Sequence, residues 1–236
     1  MNTILFDLDG TLLPMDMNVF MKTYFDEMGA FFSDLIQPKE LVKNIWASTE
    51  IMVRNIENKT NEDVFMDDFG SRITGNLDIF KNRFDEFYDT AFLNVKKATF
   101  QAPYIRESIQ LLKEKGYILV VATNPLFPLK AIIHRIKWAG FNPEDFSYIS
   151  SYEKNHYCKP QLEFYEEILK DIGKTPEECF MIGNDVQEDL ISAKLGIKTF
   201  LINNCLLHRT KDVIVSDYQG NYEDFYNFSK NLPCIK

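Results

Sequence analysis

The chain opens on a short apolar run, Thr3, Ile4, Leu5 and Phe6, that stops at Asp7 and passes into a stretch holding Gly10, Pro14 and further carboxylates. Such a run reads as a buried strand ending in a polar turn. Over residues 16–96 the texture becomes helical: Phe20, Tyr24, Met28, Phe31 and Leu35 share one stripe, and Leu41, Ile45, Met52 and Ile56 another. Further helical stretches run through Val64, Phe65 and Phe69, and through Leu77, Phe80, Phe84, Phe87 and Tyr88. No strand pattern interrupts this region. A small helical bundle inserted after the first strand is therefore expected, with Phe20, Tyr24 and Phe31 in its core.

After Pro103 the pattern alternates. A helix through Ile105, Ile109, Leu111 and Leu112 reaches Gly116, and the apolar run 117–122 reads as a buried strand. A helix over 127–139 closed by Gly140, a short strand near Tyr148 and Ile149, and a helix over 161–171 closed by Gly173 come next. The strand 179–182, a helix over 186–195 stopped by Gly196, and the strand Lys198–Ile202 follow, then a weak strand at 213–215 and a short helix near 222–228. Single helices between strands imply a Rossmann-like α/β fold with a mostly parallel sheet covered on both faces. The expected division is a core of residues 1–15 and 97–236, with 16–96 as an all-helical cap.

Composition narrows the function. With 236 residues and 45% hydrophobic content the chain can bury a substantial core. Acidic residues outnumber basic ones by 35 to 26, a net charge of −9, so no global field draws it to nucleic acid or an anionic membrane. Any phosphate must be held by a local cation. The four cysteines, Cys158, Cys179, Cys205 and Cys234, lack metal-finger or Cys-x-x-Cys spacing, and no segment resembles a signal peptide. They read as reduced thiols in a cytoplasmic protein. No apolar run approaches the roughly 20 residues that span a bilayer.

In open α/β sheets ligands collect at the carboxyl ends of the strands. Those positions are polar here: Asp7, Leu8, Asp9, Gly10 and Thr11 follow the first strand, Thr123 and Asn124 the second, and Gly183, Asn184 and Asp185, with Asp189 four residues on, a later one. Lys159 and Pro160 stand just before a helix. Carboxylates converging at buried strand ends are costly unless a cation compensates them, and their hard oxygens suit Mg²⁺, which keeps waters and substrate oxygens in its shell. Each feature also has a plainer reading: a surface turn for Asp7 to Thr11, a helix cap for Asp185, a solvated charge for Lys159 and for Arg54, Lys59, Arg72 and Arg83. Of the three histidines only His156 lies near a motif residue in sequence.

Together these residues resemble, in order and strand-end placement, the four motifs of the haloacid dehalogenase-like hydrolase superfamily. The resemblance covers the core from Met1 to about Ile202, and the helical stretch 16–96 is similar to that family's cap. It implies that Asp7 is the nucleophile on phosphorus, and that Asp9 is the general acid and then base, which also lends its backbone carbonyl to the metal. Asp7, Asp9 and Asp185 would hold Mg²⁺, while Thr123, Asn124 and Lys159 would hold the phosphate. Asp189 would either reach the metal through water or orient Lys159, and whether Asn184 touches the metal shell is open. Halide-removing members lack the acid at the position of Asp9, so its presence points to phosphate. Thr123 stands where serine is frequent, and Pro125 stiffens the turn.

The expected activity is hydrolysis of a small soluble phosphate monoester, such as a sugar phosphate, phosphoglycolate or a nucleoside monophosphate. The alternatives are a sugar-phosphate mutase using the same nucleophile and a non-catalytic phosphometabolite-binding regulatory protein. Oligomeric state is left open.

Overall fold

The computed structural model describes residues 1–235. Strand β1 (Thr3–Phe6) is followed by four helices, α1 (Met17–Phe31), α2 (Pro38–Val53), α3 (Asn61–Arg72) and α4 (Leu77–Asp89), and a 3₁₀ stretch, Ala91–Ala98. Then come α5 (Pro103–Glu114), β2 (Ile118–Val121), α6 (Leu129–Trp138), β3 (Tyr148–Ile149) and α7 (Leu162–Ile172). β4 (Cys179–Gly183), β5 (Lys198–Ile202), β6 (Tyr218–Gly220) and α8 (Tyr222–Asn231) complete the chain.

The six strands form one parallel sheet in the order β3-β2-β1-β4-β5-β6. The chain fills one side of β1, then crosses to fill the other, which opens a crevice at the carboxyl end of β1. Register makes the crevice a single shelf: Phe6 lies opposite both Val121 and Ile182, so Asp7, Ala122 and Gly183 follow at one level.

Strand side chains alternate between faces. Phe6, Phe180 and Phe200 pack with Phe225 of α8 on one face, while Leu5, Val120 and Met181 pack with Phe164, Tyr165 and Ile168 of α7 on the other. Two covered faces are why these strands read as unbroken apolar runs. The first cluster continues without a gap into Phe20, Tyr24 and Met28 of α1 and Phe84 and Phe87 of α4. Caps set where the inserted helices begin: the Asp16 carboxylate accepts from the N–H groups of Asn18 and Val19, and Asn76 accepts from Asp78. Backbone N–H groups of Asn61 and Glu62 donate to the carbonyls of Asn155 and Tyr152 at 2.8 and 2.9 Å, tying α3 to the loop that carries Lys159.

Two expected elements differ. The helix expected over 186–195 is a turn followed by a 3₁₀ segment, Leu190–Leu195. The Asp185 carboxylate takes the N–H groups of Gln187 and Glu188, and Asp189 N–H bonds back to the Asp185 carbonyl, so the turn is spent on positioning carboxylates. The strand expected at 213–215 is irregular, because Val213 and Val215 are exposed and meet no partner strand. The last strand is Tyr218–Gly220, where Phe200 lies opposite Tyr218.

Candidate active site

Asp7 leaves β1 at the crevice, buried, with its N–H donating to the Ile182 carbonyl at 2.9 Å. Its Oδ1 accepts from Lys159 Nζ at 2.9 Å, and the same ammonium donates to Asp189 Oδ1 at 2.7 Å. The Lys159 side chain has no exposed surface. Burial alone would lower its pKa, but Asp189 and Asp7 hold it well above the ordinary lysine range. Burial pushes Asp7 up to about 6 and Asp189 up to about 7, against the pull of Lys159. The second Asp189 oxygen accepts from the Asp185 N–H at 2.9 Å, so one carboxylate fixes both Lys159 and the turn after β4.

The packing of that turn needs two glycines, Gly183 of its own strand end and Gly10 of the loop after β1. A Cβ on Gly183 would lie 2.0 Å from Asp189 Oδ2. Gly10 has φ +88, and a Cβ there would lie 2.3 Å from Asn184 Nδ2. Asn184 spends its amide on structure, accepting from Thr11 Oγ1 at 3.0 Å and donating to the Cys205 carbonyl at 2.6 Å. Asn124 binds the backbone of Lys159, accepting its N–H at 3.2 Å and donating to its carbonyl at 3.3 Å, and also donates to Glu188 at 3.1 Å. Thr123 is buried at the crevice edge, its carbonyl accepting from Ser150 Oγ at 2.6 Å.

Three neighbours of these groups were not singled out from the sequence. Arg135, fully buried on α6, pairs with Asp9 Oδ2 and lies 4.3 Å above the Phe127 ring. Asp9 Oδ1 is left buried without a hydrogen-bond partner, and burial raises the Asp9 pKa while Arg135 opposes the rise. Arg209, in the loop after β5, lies 2.6 Å from Asp185 Oδ2 and 3.5 Å from Glu188. Burial, then Asp185, pushes Glu188 up to about 7. The sequence signal for Arg135 is a charge at a core-facing position between Ile132 and Ile136. Glu188 sits within the motif around Asp185, whereas no local pattern marks Arg209.

His156 does not join the site; its Nδ1 lies 2.5 Å from Glu167. Arg54, Lys59, Arg72 and Arg83 pair with Glu50, Asp67, Asp68 and Asp34 on the helical segment. Asp7, Asp9, Thr123, Asn124, Asn184 and Asp185 all border one cavity of about 290 Å³, roofed by α1 and α2.

The charge inventory bears on a metal. Asp7, Asp9, Asp185, Glu188 and Asp189 face Lys159, Arg135 and Arg209, a surplus of carboxylates over cations beside a pocket. Among the described residues, no three His, Cys, Asp or Glu side chains gather to enclose a metal by themselves. Mg²⁺ does not require that, since one or two carboxylates with carbonyl, water and substrate oxygens suffice. The hard oxygens and the uncompensated charge fit such an ion.

A family model described as haloacid dehalogenase-like hydrolase matches residues 1–196. A glyceraldehyde 3-phosphate phosphatase from Methanothermobacter thermautotrophicus is 30% identical over 121 residues, so the match spans 50% of this chain and about half, 52%, of that relative. A phosphoglycolate phosphatase from Aquifex aeolicus is 27% identical over 205 residues, covering 85% of this chain and 84% of the relative. An HAD phosphatase from Thermococcus onnurineus shares the fold with a TM-score of 0.60 at 16% identity, each chain covered in full. No helix among the described residues is long and apolar enough to cross a membrane. With the family match running from β1 through the turn that carries Asp185 and Asp189, the chain belongs to the haloacid dehalogenase-like hydrolases.

Proposed function

We propose that this hydrolase is a magnesium-dependent phosphatase that cleaves a small phosphate monoester through a transient phosphoryl group on Asp7. One observation carries the reading: Lys159, sealed from solvent behind the cavity that Asp7 and Asp9 border, bridges Asp7 and Asp189 at 2.9 and 2.7 Å, and one Asp9 oxygen is left without a partner. Phosphatases from Aquifex aeolicus and Methanothermobacter thermautotrophicus among the relatives support it.

An Asp7 carboxylate oxygen attacks phosphorus, and the bond from phosphorus to the ester oxygen breaks. The leaving oxygen takes a proton from Asp9, whose raised pKa favours the protonated form this step needs. Asp9 then takes a proton from the water that attacks the phosphoryl group, and inorganic phosphate leaves with Asp7 restored. Lys159 keeps its charge throughout and offsets that of the transferring oxygens, while Asp189 holds it in line. Thr123 and the backbone of Asn124 complete the phosphate cradle. Mg²⁺, held by Asp7, Asp185 and the Asp9 carbonyl, would supply further positive charge to those oxygens. Asn184 braces the Gly10 turn. The helical segment 16–96 acts as a cap over a core of 1–15 and 97–236, excluding water from the reaction. Four unpaired thiols suit a cytoplasmic setting.

Phosphate release from a panel of phosphate monoesters tests this, with and without Mg²⁺, for the wild type and Asp7→Asn. Release that needs both Mg²⁺ and Asp7 is expected. No release from any ester, or an isomerised sugar phosphate as the only product, contradicts it.

A further inference from the structure

The lining of the cavity says what the cap selects. Its floor is acidic and polar, but its roof is largely apolar: Met17 and Met21 and Phe25 from α1, Trp46 from α2, and Phe127 from the core side. Phe25 and Trp46 form an aromatic pair with ring centres 5.6 Å apart, and Trp46 keeps 52% of its surface exposed. Among the described residues that border the cavity, Arg209 is the only cation, and it belongs to the floor, where Asp185 and Glu188 hold it. The four cap cations considered from the sequence are paired with cap acids, and none borders the cavity.

This lining disfavours a second charge on the substrate. A carboxylate or second phosphate beyond the reacting one would lie against methionine and aromatic rings, with Arg209 the one cation bordering the cavity among the described residues and already paired with Asp185 and Glu188, a costly burial. A polyhydroxylated group would fare little better. Of the cap hydroxyls bordering the cavity, those of Tyr24 and Tyr88 already bond to each other at 2.8 Å, which leaves only Thr49 of α2 to meet a polyol. Rings and thioethers instead reward an apolar, ring-bearing group that can stack or meet them edge-on. A cavity of about 290 Å³ has room for one such ring beside a phosphate.

We propose that the leaving group taken by this site is an uncharged, apolar, ring-bearing alcohol, seated against Phe25 and Trp46. This rests on the phosphatase reading, and the test separates the two. The first measurement is kcat/KM for benzyl phosphate, methyl phosphate, phosphoglycolate and ribose 5-phosphate at fixed Mg²⁺. Benzyl phosphate is expected to exceed each of the others by about tenfold or more, since only its ring reaches the apolar roof. Trp46→Ala, at a half-exposed position, is expected to lower the ratio of benzyl to methyl phosphate by about tenfold. Phe25→Ala should lower it in the same sense. Preference for phosphoglycolate or ribose 5-phosphate, or a ratio indifferent to both substitutions, overturns the proposal.

The second measurement needs no turnover: benzylphosphonate with Mg²⁺, followed by the intrinsic fluorescence of the wild type and of Trp46→Ala. Saturable quenching confined to the wild type, and weaker for methylphosphonate, supports the apolar seat even if no ester is hydrolysed, in which case only the phosphatase reading fails. Equal responses to the two phosphonates overturn the seat even where phosphate release succeeds.

Discussion

At the scale of single residues, Lys159 is a buried charge that the fold holds only through its partners. Its ammonium is buried and has two carboxylate partners, so removing either one leaves a charge pattern the interior tolerates poorly. Arg135 and Asp9 form a comparable pair. Arg135→Leu should destabilise the fold by about 3–5 kcal/mol in urea denaturation, because it strands Asp9. Adding Asp9→Asn should recover part of that loss; a strictly additive double variant would show that the pair is not coupled. Asp9→Asn alone should slow turnover by about 10²–10⁴-fold, and a variant with full activity would remove Asp9 from the mechanism. The thiols give an independent check on burial. Burial pushes the Cys158 thiol well above its usual range and that of Cys179 up to about 11, and both are sealed from solvent. In native protein at mild alkaline pH a disulfide reagent should therefore modify exposed Cys234 and spare Cys158 and Cys179, whereas in urea all four should react. Most residues singled out from the sequence follow strand ends, where a polar residue contradicts its apolar surroundings, whereas Lys159 precedes a helix and is marked only by its place in the motif order. Arg135 carried the same contradiction within a helix, while Arg209 depends on a loop closure that no local pattern reveals.

The parallel register is what turns separate motifs into one site. β1, β2 and β4 end level with one another, and each was legible as an apolar run because both faces of the sheet are covered. The inserted helices were legible for a different reason, the regular stripe each buries, although Ile56, expected on the second stripe, lies beyond α2 and is exposed. The segment after Asp185 was misread because its periodicity suits a helix while the Asp185 carboxylate captures two of its N–H groups. Val213 and Val215 misled in the opposite way: β-branched residues favour strands only where something packs on them, and here nothing does. The end of β4 is the most constrained point. Gly183→Ala would press a methyl group into Asp189, displacing the carboxylate that anchors Lys159. Turnover should fall at least about tenfold even where the variant remains folded, because a small displacement of positioning groups is enough to disrupt alignment. An unchanged rate in Gly183→Ala would argue that Asp189 does not position Lys159.

At the scale of the molecule, a chain of net charge −9 recognises an anion only by concentrating its few buried cations at one point and supplementing them. Excess EDTA should therefore stop phosphate release reversibly, with recovery on adding Mg²⁺; indifference to chelation would remove the metal from the account. The helical segment 16–96 and the sheet share one apolar cluster, so the two are joined by packing as well as by the hydrogen bonds near Lys159. That continuity places the apolar roof directly over the carboxylates. The central claim is that Asp7 becomes phosphorylated, and borohydride trapping reads it directly, since an aspartyl-phosphate is reduced to homoserine that peptide mass spectrometry locates. In Asp9→Asn, Mg²⁺ and an aryl ester such as p-nitrophenyl phosphate, whose leaving group needs no proton from Asp9, should yield homoserine at position 7, because only release of the phosphoryl group is then slowed, and none without the ester or in Asp7→Asn. Phosphate release with Asp7 left unreduced, or reduction at a different carboxylate, would contradict the mechanism.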